Sequence, residues 1–148
     1  MKQKPENYIS LDLPSRSSNE GFARTAAACF AAQLDPTLEE INDIKTAVSE
    51  AVTNAIVHGY PDSIGKVSMK LRIYADHNLE IVVRDWGCGI ENVEQARQPM
   101  YTTGGEERAG MGFTIMESFM DGLKVRSQPG KGTVVTMRKK ISRRLGNK

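Results

Sequence analysis

KVSMKLRIYADHNLEIVVRDWGCG, residues 66–89, is the stretch that decides the fold. Val67, Met69, Leu71 and Ile73 alternate with polar residues, the period-two pattern of a strand with one buried face. Leu79, Ile81 and Val83 repeat the pattern, and Asp76-His77-Asn78 between the two runs reads as the turn of a hairpin. The second strand ends in Val82-Val83-Arg84 and delivers Asp85 at its edge, followed by alternating glycines in Asp85-Trp86-Gly87-Cys88-Gly89. An Asp leaving a strand edge can accept a hydrogen bond from an exocyclic amine such as that of adenine. Glycines after it let backbone approach a flat ligand without Cβ clashes. Taken alone, the same pattern also describes a tight turn with an Asp cap.

Upstream, Ile9, Leu11 and Leu13 form an opening strand ended by Pro14. Ser17 with Glu20 and Thr37 with Glu40 have capping-box spacing. They predict one helix through about Leu34, stopped before Pro36, and a second through about Val57 to Gly59. The second helix carries an apolar stripe of Ile41, Ile44, Val48, Val52 and Ala55. Glu50 and Asn54, four residues apart in Glu50-Ala51-Val52-Thr53-Asn54, share a helix face roughly opposite that stripe. A solvated polar face accounts for such a pair. So does a carboxylate that polarises a hydroxyl or water beside an amide oxygen that ligates Mg²⁺, a hard cation that keeps several waters.

Downstream, residues 86–110 are long, polar and Gly-rich, with at most one short helix near Val93–Arg97. A loop of that length inside a compact domain reads as a lid. Gly110-Met111-Gly112 then opens a helix from Phe113 to Met120, whose free amides and positive dipole end would suit phosphate oxygens. Leu123–Ser127 and Thr133–Met137 form a closing hairpin around Pro129-Gly130-Lys131-Gly132. The order strand, two helices, hairpin, lid, helix, hairpin predicts an α+β two-layer sandwich: a mixed, mainly antiparallel sheet with helices on one face.

The chain has 148 residues, enough for one domain with its own core, and its 39% hydrophobic and 26% charged residues are those of a globular protein. A net charge of +2 gives no reason to expect direct nucleic-acid binding, and part of it sits in a basic tail from about residue 140 to 148. Cys29, in an apolar helical run, reads as a buried thiol. Cys88, between glycines, suits a reducing compartment, and no CxxC pair suggests zinc. The N-terminus lacks a signal-peptide pattern and no apolar run reaches membrane length, so a cytoplasmic protein with no membrane association is expected. His58, just before Gly59, reads as a helix C-terminal residue facing the dipole, with a proton carrier as the other reading. His77 reads as a solvated turn residue.

The Glu/Asn helix, the D-x-G-x-G after a strand, the lid, the G-x-G before a helix and the G-x-G-T of Gly130–Thr133 together resemble the GHKL (Bergerat-fold) ATPase/kinase superfamily. There is no P-loop and no signature set of a eukaryotic-type protein kinase. Within the superfamily, Ser49–Ala55 (SEAVTNA) and Gly110–Glu117 (GMGFTIME) are similar to the anti-sigma serine kinases of sporulation. Gly104 and Trp86 depart from the commonest pattern.

The resemblance implies ATP or ADP and Mg²⁺ as ligands. Asn54 would hold the metal and Glu50 would activate a serine hydroxyl. Asp85 would hold the adenine amine, with Gly87, Gly89 and Thr133 around the base. Thr102, Thr103, Arg108, Gly110, Met111 and Gly112 would form lid and phosphate cradle. It further implies a homodimer that grips an RNA polymerase sigma factor of the sigma F type, with Glu20 and Arg24 on the partner face, and that phosphorylates an anti-anti-sigma antagonist protein. The sequence leaves two other classes open. A histidine-kinase-like catalytic fragment would need a phospho-accepting His on a preceding helical hairpin, and a module using ATP only as a structural ligand would have no need of Glu50.

Overall fold

A computed structural model of the chain describes residues 3–98 and 106–142, with side chains from residue 111 onward in the second segment. The elements are β1 (Asn7–Pro14), α1 (Asn19–Ala31), α2 (Leu38–Asn54), β2 (Lys66–Tyr74), β3 (Asn78–Asp85), α3 (Val93–Ala96), α4 (Glu106–Phe119), β4 (Gly122–Gln128) and β5 (Gly132–Lys140). Five strands form one sheet in the order β1-β2-β3-β5-β4. All four pairings are antiparallel, so the mainly antiparallel expectation is met without a parallel pair. No described helix is long and apolar enough to cross a membrane.

Period two in the strands and period 3.6 in α2 meet in a single core. Met69, Leu71, Ile81 and Met137 point inward from three strands, and Ile44, Ala47, Val48, Ala51 and Val52 point down from α2, each at most 1% exposed. Each of the larger side chains contributes about 1.5–3 kcal/mol by leaving water. Thr37 caps α2 as its spacing predicts: the Glu40 amide donates to Thr37 Oγ1 at 3.0 Å and the Thr37 amide donates back to Glu40 Oε1 at 2.9 Å.

Four expectations are corrected. Ser17 does not cap α1; the helix begins at Asn19 with Ser18 before it and no side-chain cap bond, and Glu20 turns along the helix to Arg24 instead. Cys29 is exposed, because the inner stripe of α1 runs through Ala23, Ala27, Phe30 and Ala31 and leaves position 29 on the outer side. The basic tail does not start at Lys140. Lys139 donates to the Phe119 carbonyl at 2.8 Å, Ile141 is fully buried, and the Ser142 amide reaches Glu40 Oε2 at 2.9 Å. The helix expected to open at Phe113 already runs from Glu106, so Gly110-Met111-Gly112 lies inside α4 and not at its N-terminus. Glu106-Glu107-Arg108-Ala109 explains it: strong helix formers with acids in the first turn extend the helix backward through two tolerated glycines.

Candidate nucleotide site

Asp85 is the last residue of β3, and alternation turns its carboxylate to the helix side, where it is only 4% exposed. Burial raises its pKa above the usual aspartate range, against the pull of the Gly87 and Thr133 amides that donate to it. The Gly87 bond is 2.9 Å long. Gly59, at the end of the turn that follows α2, lies against the same carboxyl group, so closely that a Cβ there would come within 2.8 Å of Asp85 Cγ.

Above Asp85 opens a narrow cleft whose enclosed room is about 30 Å³, continuous with an open mouth. Val83, Val135 and Phe113 give it an apolar floor, and Asn54, Asp85 and Thr133 place polar atoms in it. Gly89 and Ile90 close one side, and His58 and Gly59 another. Apolar lining beside a buried carboxylate offers a heteroaromatic ring bearing an amine an acceptor for that amine.

At the other end of the cleft, α4 crosses α2. Glu50 and Asn54 stand at the margin of the buried stripe of α2, not opposite it, and α4 covers them with Gly112. A Cβ on Gly112 would meet Asn54 Nδ2 at 2.9 Å, Asn54 Oδ1 at 3.2 Å and Glu50 Oε1 at 3.2 Å. Only glycine permits that approach. The Asn54 Nδ2 is buried against Gly112 without a hydrogen-bond partner among the described residues, a donor still open to an acceptor from outside. Two oxygen-bearing side chains converging on one point match the hard donors that Mg²⁺ takes.

The helix departs from regularity at this point: Ala55–Gly59 winds as a π-turn, and it carries His58 onto the cleft wall and not merely to a helix end. Glu50 also lines a second groove, between α1 and α2, with Arg24, Lys45 and Ser49. Glu20 and Arg24 meet at 3.6 Å on α1. Met111 is 54% exposed and is not among the residues lining the Asp85 cleft. Gly110 and the Arg108 backbone belong to α4, while Thr102 and Thr103 lie outside the described residues.

One organising residue was not legible. Ser127 Oγ accepts from the Ile90 amide at 2.7 Å, donates to the Gly132 carbonyl at 3.0 Å and shares a 2.8 Å bond with Thr133 Oγ1. It ties the glycine loop to the closing hairpin. Its register opposite Thr133 was the available signal, but a Ser facing a Thr across a hairpin is also ordinary strand pairing.

Residues 13–139 match the histidine kinase-like ATPase domain family. An anti-sigma F factor of Thermoanaerobacter sp. is 59% identical over 136 residues, covering 91% of this chain and 94% of its own. The chain belongs to the anti-sigma F factor family of histidine kinase-like ATPase domains. An anti-sigma F factor of Clostridium acetobutylicum is 54% identical over 93% of this chain and 96% of its own. The fold recurs at 21% identity and a TM-score of 0.69 in the structure of the RsbU and RsbW domains of a Mycobacterium tuberculosis protein, over 95% of this chain and 34% of that one. It recurs again, at 22% identity and a TM-score of 0.58, in a blue-light-activated histidine kinase of Erythrobacter litoralis, over 84% and 41%. Membership of this ATPase family implies ATP or ADP as the ligand class of the chain.

Proposed function

We propose that the chain is an anti-sigma factor and ATP-dependent protein serine kinase. It would hold a sporulation sigma factor of the sigma F type and phosphorylate an anti-anti-sigma antagonist on serine, as a cytoplasmic homodimer. The observation that carries the reading is the convergence of Glu50 and Asn54 beneath Gly112, at the far end of a cleft that begins at Asp85.

In this reading Asp85 accepts from the adenine amine while Gly87, Gly89 and Thr133 frame the base. Asn54 offers its oxygen to Mg²⁺, which when bound neutralises charge on the transferring phosphoryl group. The segment Arg108 to Gly112, with Thr102 and Thr103, surrounds the phosphates. Gly112 does so by having no side chain, its own amide lying inside α4. Glu50 orients the incoming hydroxyl and accepts its proton. A carboxylate near phosphates weakens nucleotide binding, so its place is explained by transfer and not by holding ATP. The groove shared by Glu50 and Arg24 gives the acceptor segment a route to that carboxylate, with Glu20 and Arg24 on the partner face.

The test is Glu50→Gln, incubated with ATP, Mg²⁺ and the antagonist, with phosphoserine read by mass spectrometry. Nucleotide and sigma-factor binding should persist while transfer falls by about 10²–10⁴. Transfer at the parental rate would remove Glu50 from the chemistry, and no transfer by the parent to any candidate antagonist would leave a binding module.

A further inference from the structure

Helices cover one face of the sheet, and strand register specifies what the other face carries. Across β2, β3, β5 and β4, one outward row reads Ser68, Arg84, Val134, Arg126. The next reads Lys70, Val82, Thr136, Lys124. Lys70, Arg84, Lys124 and Arg126 are exposed, and none forms an ion pair with a described carboxylate. The nearby Glu80 is already taken by Arg72 and Arg138. Asp12 of β1 stands opposite Ser68 at the edge of the face, and with Glu80 already paired the cations still outnumber the carboxylates there, a segregation that the net charge of +2 does not reveal.

The face also has a profile. Val82, Val134 and Thr136 are half-buried and form a shallow floor along β3 and β5. Lys66 and Lys70 rise from β2 on one side, and Lys124 and Arg126 rise from β4 on the other. The rims are three strand spacings apart, about 14 Å. An α-helix with its side chains is about 10–12 Å across.

We propose that this uncovered face docks an acidic amphipathic helix of a partner protein. Its apolar stripe would lie on Val82 and Val134, and its carboxylates would face Lys66 and Lys70 on one side and Lys124 and Arg126 on the other. Nucleic acid fits less well. Trp86 beside these cations has its ring engaged by Lys66 Nζ at 4.4 Å and Arg84 Cζ at 4.5 Å, and the exposed Tyr8 stands on the edge strand opposite Arg72, so no aromatic lies between the two rims for base stacking among the described residues. A lipid surface fits less well too, because the apolar residues are the recessed floor and not the projecting rim. The proposal stands apart from the nucleotide reading.

Trp86 is the only tryptophan and sits at the edge of this face, so its emission reports occupancy. The full chain is titrated with a synthetic helix of about 20 residues, with leucines spaced for one stripe and glutamates on both flanks. Controls are a scrambled peptide of the same composition, a single-stranded oligonucleotide and phosphatidylglycerol vesicles. The helix should give saturable binding that weakens with salt. The triple variant Lys70→Glu, Lys124→Glu, Arg126→Glu should lose about tenfold or more in affinity. The neutralising set Lys70→Gln, Lys124→Gln, Arg126→Gln serves should the reversal disturb folding by circular dichroism, and it too should weaken binding. Parental affinity in a folded variant would overturn the proposal. So would a scrambled peptide, oligonucleotide or vesicle that binds as tightly as the helix, or no binding by the helix.

Discussion

Glu80 and Asp85 lie on the same strand, 7% and 4% exposed, and their surroundings are opposite in kind. Glu80 points to the open face and is held by Arg72 Nη1 at 3.0 Å and Arg138 Nη2 at 2.9 Å, one from each neighbouring strand. Asp85 points to the helix side and is met by backbone amides and by Gly59, with no ion pair among the described residues. A carboxylate with cations on both sides completes a structural cluster. One buried without a cation is held against its solvation, which marks it as a candidate acceptor for something that arrives from outside.

The comparison can be broken at several points. The largest effect is expected around Asp85, where neighbouring backbone is packed without tolerance. Gly132 adopts φ +112, and a Cβ there would run into the Asp85 carbonyl. Gly132→Ala should destabilise by about 3 kcal/mol, from strain and overpacking together. Gly130, at φ +78 with nothing near its Cβ position, isolates the strain part. Gly130→Ala should lose only about 1 kcal/mol by urea denaturation. Equal losses would mean that the packing against Asp85 is not tight.

Asp85→Asn comes next. It keeps the shape but leaves an adenine amine facing a mismatched group, so adenine-nucleotide affinity should fall by about 2 kcal/mol, roughly thirtyfold by calorimetry. Unchanged affinity would put the base elsewhere. Glu80→Gln is the matching change at the other end. It should leave nucleotide affinity alone and lower stability by only about 1 kcal/mol, because Arg138 is 70% exposed and stays hydrated when released. A change in affinity there would show that the two ends of β3 communicate.

The smallest effect is on pH dependence. The raised pKa of Asp85 means that the folded chain holds this proton more tightly than the unfolded chain does. Its contribution therefore falls as pH rises from the usual aspartate range through the raised value. Glu40 is the reverse. Burial, the largest influence on it, is outweighed by hydrogen bonds from Thr37 and Ser142, and its pKa is lowered. Its contribution is present above the usual glutamate range and is lost as pH falls through the lowered value. Midpoints of urea unfolding against pH, taken as parent minus Asp85→Asn and parent minus Glu40→Gln, should slope in opposite directions. Slopes of the same sign would contradict the assignment of the two environments.

What the sequence by itself determined is what the backbone period and local caps dictate. The inward residues of β2 and β3, the stripe of α2, the Thr37–Glu40 capping box and the placement of Asp85 before its glycines all follow from spacing within a few residues. Local signals failed where two of them competed, as at α4, where good helix formers before Gly110 overrode a glycine-based start, and at α1, where Ser17 lies outside the helix it was expected to cap. Tertiary structure alone decided that β5 lies between β3 and β4, which brings Thr133 opposite Asp85 and Ser127 within reach of Ile90. It alone set Gly112 onto Glu50 and Asn54, and gathered on one face of the sheet several cations that pair with no described carboxylate. These contacts join residues tens of positions apart, and no local period specifies them; they follow from how the helices and the last hairpin bury their apolar faces against a common sheet.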